Sequence, residues 1–255
     1  MELQEPCGFL PWDTAFFGKR IAQVNAHRLS SQMVDGVLEW CATHAIECIY
    51  LLADSDHAET VRLAEEYGFR LVDIRITLQC NTRDARARSI NDFSQRVRVR
   101  PARQSDAATL KAIARTSYND SRFYFDPCFP AESCAALYET WIERSCEDYA
   151  DVVLVAEVND QSVGYVSCHL PSNTQGGQIG LVGVESRNRS YGVGQTLIQY
   201  SLRWFCEHGV EEVKVVTQGR NIAAQRLFQS CGFLTHSVQL WYHKWFSGCA
   251  GQVQS

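Results

Sequence analysis

Displaced by 164 positions and laid over itself without a gap, the chain matches Leu38 with Leu202, Trp40 with Trp204, His44 with His208, Glu47 with Glu211, Arg62 with Arg226, Leu63 with Leu227, Gly68 with Gly232 and Phe69 with Phe233. Apolar positions coincide as well: Ile49 with Val213, Leu51 with Val215, Ile74 with Val238. Shared Trp, His and Gly-Phe in one register mark a duplicated helix, strand, helix, strand unit. The amino-terminal copy lacks one feature of the second, since Arg28 and Ser30 stand where the second copy has Gly192 and Gly194.

The second half reads as a regular run of elements. Val97 to Asp106 reads as a strand, a bend and an N-cap, Asp106, before a helix from Ala107 to Tyr118. A helix follows from Glu132 to about Cys146. Val152 to Val158 and Val163 to His169 form a hairpin around the polar loop Asn159 to Ser162. Ile179 to Val184 is a strand, and Leu197, Ile198, Leu202 and Phe205 recur at helical spacing before Gly209. A strand Val213 to Val216, a helix from Asn221 to about Ser230 stopped by Gly232, and a strand Ser237 to Lys244 complete it.

Arg189-Ser190-Tyr191-Gly192-Val193-Gly194 lies between a strand and a helix, where main-chain N–H groups and the helix dipole can hold a pyrophosphate. Taken alone, Gly192 reads equally well as a turn residue and Gly194 as a packing contact. The Arg/Gln-x-x-Gly-x-Gly spacing, with the element order of residues 97 to 246, resembles the GNAT N-acetyltransferases. The resemblance implies an α/β fold with a mixed, mostly antiparallel sheet flanked by helices. It divides the chain into a truncated GNAT-like lobe at 1–90 that binds no cofactor, a linker at 91–96, a catalytic domain at 97–246 and a flexible tail at 247–255.

The resemblance further implies acetyl-CoA as cosubstrate, held by Leu181, Val182, Gly183 and Val184 of the splayed strand, by Arg189, Gly192, Val193, Gly194, Gln195 and Thr196 of the turn, and by Asn221 and Phe228. The glycines of Gly180-Leu181-Val182-Gly183 suit close approach of a ligand, or a bulge. Family members commonly carry Tyr seven residues after the Asn, where its phenol protonates the departing thiolate; this chain has Phe228. Phenylalanine donates no proton, so the general acid is left to Tyr191, Cys231 or His169, or is dispensable because a thiol leaves readily. Asn221 also reads as a plain helix N-cap.

The segment Ser121 to Pro130 carries aromatics with one Arg and one Asp, which suits a sugar nucleotide or, equally, an apolar turn over the core. With Trp12 to Gly18, Gly164 to Ser167, Thr217 to Asn221 and Trp241-Tyr242, it is similar to the TDP-fucosamine acetyltransferase group. That likeness implies an acceptor site including Arg122, Phe123, Asp126 and Tyr165, and a nucleotide-linked amino-deoxy sugar as substrate. Other acceptors, among them an antibiotic, a polyamine or a protein amine, stay open, as does an acyl-CoA-binding module without turnover.

Composition excludes several classes. A net charge of -5 leaves no footprint for nucleic acid, and no stretch is long enough to span a bilayer. Met1 to Glu5 has neither the basic start nor the apolar run of a signal peptide. Eleven cysteines without a C-x-x-C pair indicate neither a metal site nor a disulfide framework, and reduced thiols point to the cytoplasm. The basic stretch Arg83 to Arg100 reads as a solvated linker or a contact for an anionic substrate. A homodimer is compatible with all of this.

Overall fold

The structure is a computed structural model that describes residues 5–83, 96–170 and 176–246. The amino-terminal half runs β1 (Cys7–Phe9), α1 (Pro11–Phe17), β2 (Ile21–Val24), α2 (Ser31–Thr43), β3 (Cys48–Asp54), α3 (Ala58–Glu66) and β4 (Arg70–Asn81). The carboxy-terminal half runs β5 (Arg98–Pro101), α4 (Ala107–Ser117), the short α5 (Arg122–Phe125), α6 (Ala131–Arg144), β6 (Val152–Val158), β7 (Gln161–His169), β8 (Gly177–Val184), α7 (Val193–Glu207), β9 (Glu212–Gln218), α8 (Ile222–Ser230) and β10 (Leu234–Trp245).

Side chains alternate across a strand, and here the alternation sorts the helices into two layers. Leu154 and Ala156 of β6 join the core under α7 and α8, whereas Val153 and Val155 face α4 and α6. Likewise Ile49, Leu51 and Ala53 of β3 pack under α2 and α3, while Cys48 and Tyr50 face α1 and α5. One face of the sheet therefore carries α2, α3, α7 and α8, and the other carries α1, α4, α5 and α6.

The duplication is visible element by element. β3 and β9, α3 and α8, and β4 and β10 have bounds that differ by 164 at both ends. His57 Nδ1 accepts from the Thr60 N–H, and Asn221 Oδ1 accepts from the Ala224 N–H at the matching helix start. His44 and His208 each donate Nδ1–H to the carbonyl of the Trp four residues earlier, at 2.8 Å, and stack on its ring. Both histidines are helix-end locks, with no part in chemistry.

All ten strands form one sheet, in the order β1-β2-β3-β10-β4-β9-β8-β7-β6-β5. The order contains an exchange: β4 leaves its own half to pair with β9, and β10 leaves its half to pair with β3. The exchanged strands then pair with each other along Leu234–His243 and Arg70–Gln79. Only β2 with β3 and β8 with β9 run parallel; every other pair is antiparallel.

Several local expectations change. Asp106 does not cap α4; its carboxylate accepts from the Arg103 N–H and from Arg100 at 2.7 Å, while Glu157 takes the other side of the same guanidinium. Arg100 is therefore buried in an ion-pair network and is no part of a solvated linker, and its charge pulls the Asp106 carboxyl down to about 2. Cys7, Cys41, Cys48, Cys134, Cys146, Cys168 and Cys206 are free thiols, but Cys128 is disulfide-bonded, which the spacing of cysteines along the chain could not disclose. The 91–96 linker, apart from Arg96, and the 247–255 tail lie outside the described residues. Among the described residues no helix is long and apolar enough to cross a membrane.

The exchange predicts that residues 96–246 expressed alone do not fold. They leave β9 without β4, and β10 without either neighbour, so two long unpaired edges are exposed. Circular dichroism should show no cooperative melting, whereas the full chain melts in one transition; a cooperative transition in the fragment would refute the dependence.

Candidate active site

Parallel strands β8 and β9 pair only at Gly177, Gln178 and Ile179, against Val213, Lys214 and Val215. Beyond Ile179 and Val215 the two strands run on to Val184 and Gln218 without pairing, so a wedge opens between them. Its walls offer main-chain N–H and C=O groups to an extended ligand, as a free strand edge does. The bend comes from a bulge: Val166 faces Val182 and Cys168 faces Ile179, so Gly180 and Leu181 together oppose Ser167.

At the open end of the wedge the chain turns through Ser190, at φ +66°, and Gly192, at φ +78°, into α7. The first bond of the helix runs from the Thr196 N–H to the Gly192 carbonyl. The N–H groups of Val193, Gly194 and Gln195 are thus free of helical partners. This is the anion-binding arrangement that the turn implies.

The turn residues divide their duties. The Val193 side chain is buried in the core, so only its main chain faces the turn. Thr196 Oγ1 donates to the Gly192 carbonyl at 3.1 Å, and Arg189 Nε donates to the Val184 carbonyl at 3.1 Å. Gly194 is a packing position, since a Cβ there would lie 3.1 Å from Leu227 Cδ2. Asn221 is the N-cap of α8.

The glycines of β8 have a different reason from the one expected. A Cβ on Gly180 would stand 2.5 Å from His169 Nε2, and one on Gly183 would stand 2.7 Å from the Tyr165 ring. Both make room for β7 side chains crossing the strand. Leu181 N–H donates to Ser167 Oγ at 2.8 Å, Ser167 contacts His169 Nε2 at 3.2 Å, and His169 Nδ1 meets the Tyr149 carbonyl at 3.2 Å. Burial holds the His169 pKa below its ordinary value, and both imidazole nitrogens have partners within the fold.

Of the other expected acids, Phe228 is 3% exposed and packs on Phe233, and Cys231 is buried in the same core. Tyr191 is 72% exposed, with its ring in solvent beside the turn. The sequence missed Tyr118. Its hydroxyl takes a hydrogen bond from the Val182 N–H and lies 3.0 Å from the Tyr165 hydroxyl. Burial and the neighbouring phenol hold Tyr118 protonated far above the ordinary range. Tyr165 itself is fully buried, so it supports Tyr118 and does not meet a ligand.

Two expected acceptor residues are spent in the fold. Phe123 is a core side chain between Phe17 and Phe129. Asp126 accepts from His243 Nδ1 at 2.7 Å, Trp245 Nε1 at 3.0 Å and the Cys128 N–H, which clasps the loop after α5 to β10. A short polar residue among aromatics looks the same in sequence whether it holds the fold or a ligand. Arg122 differs: its guanidinium lies 3.9 Å from the Trp241 ring, 4.4 Å from Tyr50 and 4.6 Å from Phe123. Around it stand Asp13, Asp73 and Arg75, on the face of the sheet opposite α7 and α8.

Residues 117–233 match the Acetyltransferase (GNAT) family. The chain is 28% identical over 242 residues to the dTDP-fucosamine acetyltransferase of Escherichia coli O6:H1 (strain CFT073), covering 92% of this chain and 96% of that protein. Among solved structures, a GCN5-related N-acetyltransferase from Sphaerobacter thermophilus superposes with a TM-score of 0.67 at 16% identity, over 98% of this chain and 79% of that one. A tandem GNAT protein from the clavulanic acid biosynthesis pathway does so at 0.61 and 12% identity, over 91% and 77%. The wedge and the glycine turn at the start of α7 both fall within the matched span, so residues 117–233 carry a GNAT acetyltransferase domain, as acyl-CoA-dependent N-acetyltransferases do.

Proposed function

We propose that the protein transfers an acetyl group from acetyl-CoA to the amine of a nucleotide-linked amino-deoxy sugar. The observation that carries the reading is that the likeness to the dTDP-fucosamine acetyltransferase covers 92% of the chain, and with it both halves. In this reading the free N–H groups of Val193, Gly194 and Gln195 receive the pyrophosphate, and the wedge receives the pantetheine chain. Bound acetyl-CoA supplies an activated carbonyl. The acceptor amine approaches from the face of α4 and α5, where the bulge at Gly180 and Leu181 brings the two ligands together.

The chain's own groups then have separate tasks. The amine must reach the carbonyl as a free base, and the oxygen that gains charge needs a donor aimed at it. Tyr118 is the phenol at the bulge, held by the Val182 N–H and kept protonated by its surroundings. It is a donor of a different kind from the general acid that Phe228 cannot supply. Its position on the acceptor face suits the carbonyl oxygen rather than the sulfur.

The test is product mass after incubation with acetyl-CoA and a panel of TDP- and UDP-linked aminosugars, with polyamines and aminoglycosides as competitors for the reading. A mass gain of one acetyl group on an aminosugar supports the proposal, and acetylation of the other amines alone overturns it. Gly192→Glu, which strains a left-handed backbone and sets a carboxylate against the pyrophosphate, should weaken acetyl-CoA at least tenfold, or about 1.4 kcal/mol. Calorimetric affinity unchanged from the parent would remove the turn from the cofactor site.

Tyr118→Phe should lower the single-turnover rate by roughly 10²-fold, in the range of one lost oxyanion donor, with acetyl-CoA affinity intact. Phe228→Tyr, at a position buried against Phe233, should leave that rate within about threefold of the parent. A large gain from Phe228→Tyr with no loss from Tyr118→Phe would return the proton donor to α8.

A further inference from the structure

The exchanged strand β4 carries more than packing surface to the site. Its apolar Ile76, Leu78 and Cys80 face α7 and α8, so Asp73, Arg75 and Thr77 face the acceptor side. Arg75 stands opposite Gln218 at the end of β9 on one side and Gln239 of β10 on the other. It is therefore in the middle of the sheet, at the mouth of the wedge, and not on a solvated edge.

Arg75 and Arg122 come from different halves of the chain, and each lies in the electrostatic field of the other. No carboxylate oxygen lies within 4 Å of either guanidinium among the described residues. Arg75 Nε and Arg122 Nη1 are buried donors without a hydrogen-bond acceptor among the described residues. The two nearby acids are engaged elsewhere or reluctant to ionise. Asp73 accepts from the Ile74 N–H at 2.8 Å and lies 3.9 Å from Arg220, and burial pushes its carboxyl up to about 6. Burial likewise raises Asp13.

Two partly buried guanidiniums that repel one another, with no carboxylate oxygen within 4 Å of either among the described residues, are unfavourable unless an anion completes them. Aromatic faces fix Arg122 in place, so its fork is already ordered when a ligand arrives. Two forks from opposite walls match several oxygens at once, which suits a diphosphate better than a single carboxylate.

We infer that Arg75 and Arg122 form the phosphate-reading end of the acceptor pocket, so that the amino-terminal half, through its exchanged strand, selects a diphosphate-linked amine over a free one. The inference rests on the acceptor side proposed above, and it adds a duty to a half of which the sequence implies only that it binds no cofactor.

The probe is thymidine diphosphate, titrated calorimetrically into the full-length protein saturated with CoA so that the turn at Gly192 is already filled. The parent should bind it, and Arg75→Gln and Arg122→Gln should each weaken binding at least tenfold with CoA affinity unchanged. Thymidine without phosphate should bind at least tenfold more weakly than the diphosphate. If Arg75→Gln fails to fold, Arg75→Lys keeps the charge but loses the fork and should still weaken binding measurably. No binding by the parent, or parent-like binding by the folded variants, would overturn the assignment. Diphosphate binding that depends on both arginines, in a protein that acetylates no aminosugar, would leave this inference standing while the proposed substrate falls.

Discussion

The pairing of β4 with β10 is the contact on which both halves depend. Each is the last strand of its own unit, each is flanked by strands of the other, and together they turn two incomplete sheets into one. The close approach has a matching pair of locks. Gly219 N–H donates to the Ile74 carbonyl at 2.6 Å, and Ser55, at the corresponding place in the first half, donates Oγ–H to the Val238 carbonyl at 2.7 Å. Gly219 is required for the first lock, because a Cβ there would stand 2.7 Å from the Ile74 Cβ. A pseudo-twofold relation thus survives around the exchanged pair, although the two halves have different outer strands.

The same duplication explains why one half has a wedge and the other does not. After β2 the chain stays against β3: His27 bonds the Leu52 carbonyl at 2.7 Å, Asp54 N–H donates to the His27 carbonyl, and Arg28 pairs with Asp54. Leu29 N–H then donates to Thr60 Oγ1 in the interior. These bonds occupy the groups that a ligand would need, and Arg28 and Ser30 lack the left-handed freedom of glycine where the second half turns away. In the second half, β8 bulges away from β9 at Gly180 and Leu181, and no other described strand pairs with the freed edges. A difference of a few residues after one strand therefore separates a closed copy from an open one.

The element order and the repeat were legible because helix caps, glycine stops and apolar periods act over a few residues, and Asn221, Gly209 and Gly232 do in the structure what their types predict. The exchange was not legible. β4 and β10 carry similar patterns, so the pattern fits either neighbour, and only the three-dimensional closure of both halves decides between them. Asp126 and Phe123 were misread for a related reason: loop residues that clasp the core and loop residues that greet a ligand share a composition. Arg75 had a signal that was available. Asp73, Arg75 and Thr77 alternate with Val72, Ile74, Ile76 and Leu78, and a half-polar strand in the centre of a large sheet must turn its polar face toward something other than bulk water.

What that polar face turns toward also accounts for the loss of the phenol on α8. Phe228 lies on the α7 and α8 side, where the core around Phe205 and Phe233 is apolar and a hydroxyl would need a partner that the site does not offer. The phenols gather on the other side, where Tyr118 stacks on Tyr138 at 4.3 Å and bonds Tyr165. A thiolate leaves with modest help because its conjugate acid is near neutral, whereas the carbonyl oxygen gains charge that must be met at once. Under the proposed function, donors are therefore worth more on the face where the amine attacks than on the face where the sulfur departs, and Tyr118 stands on that face.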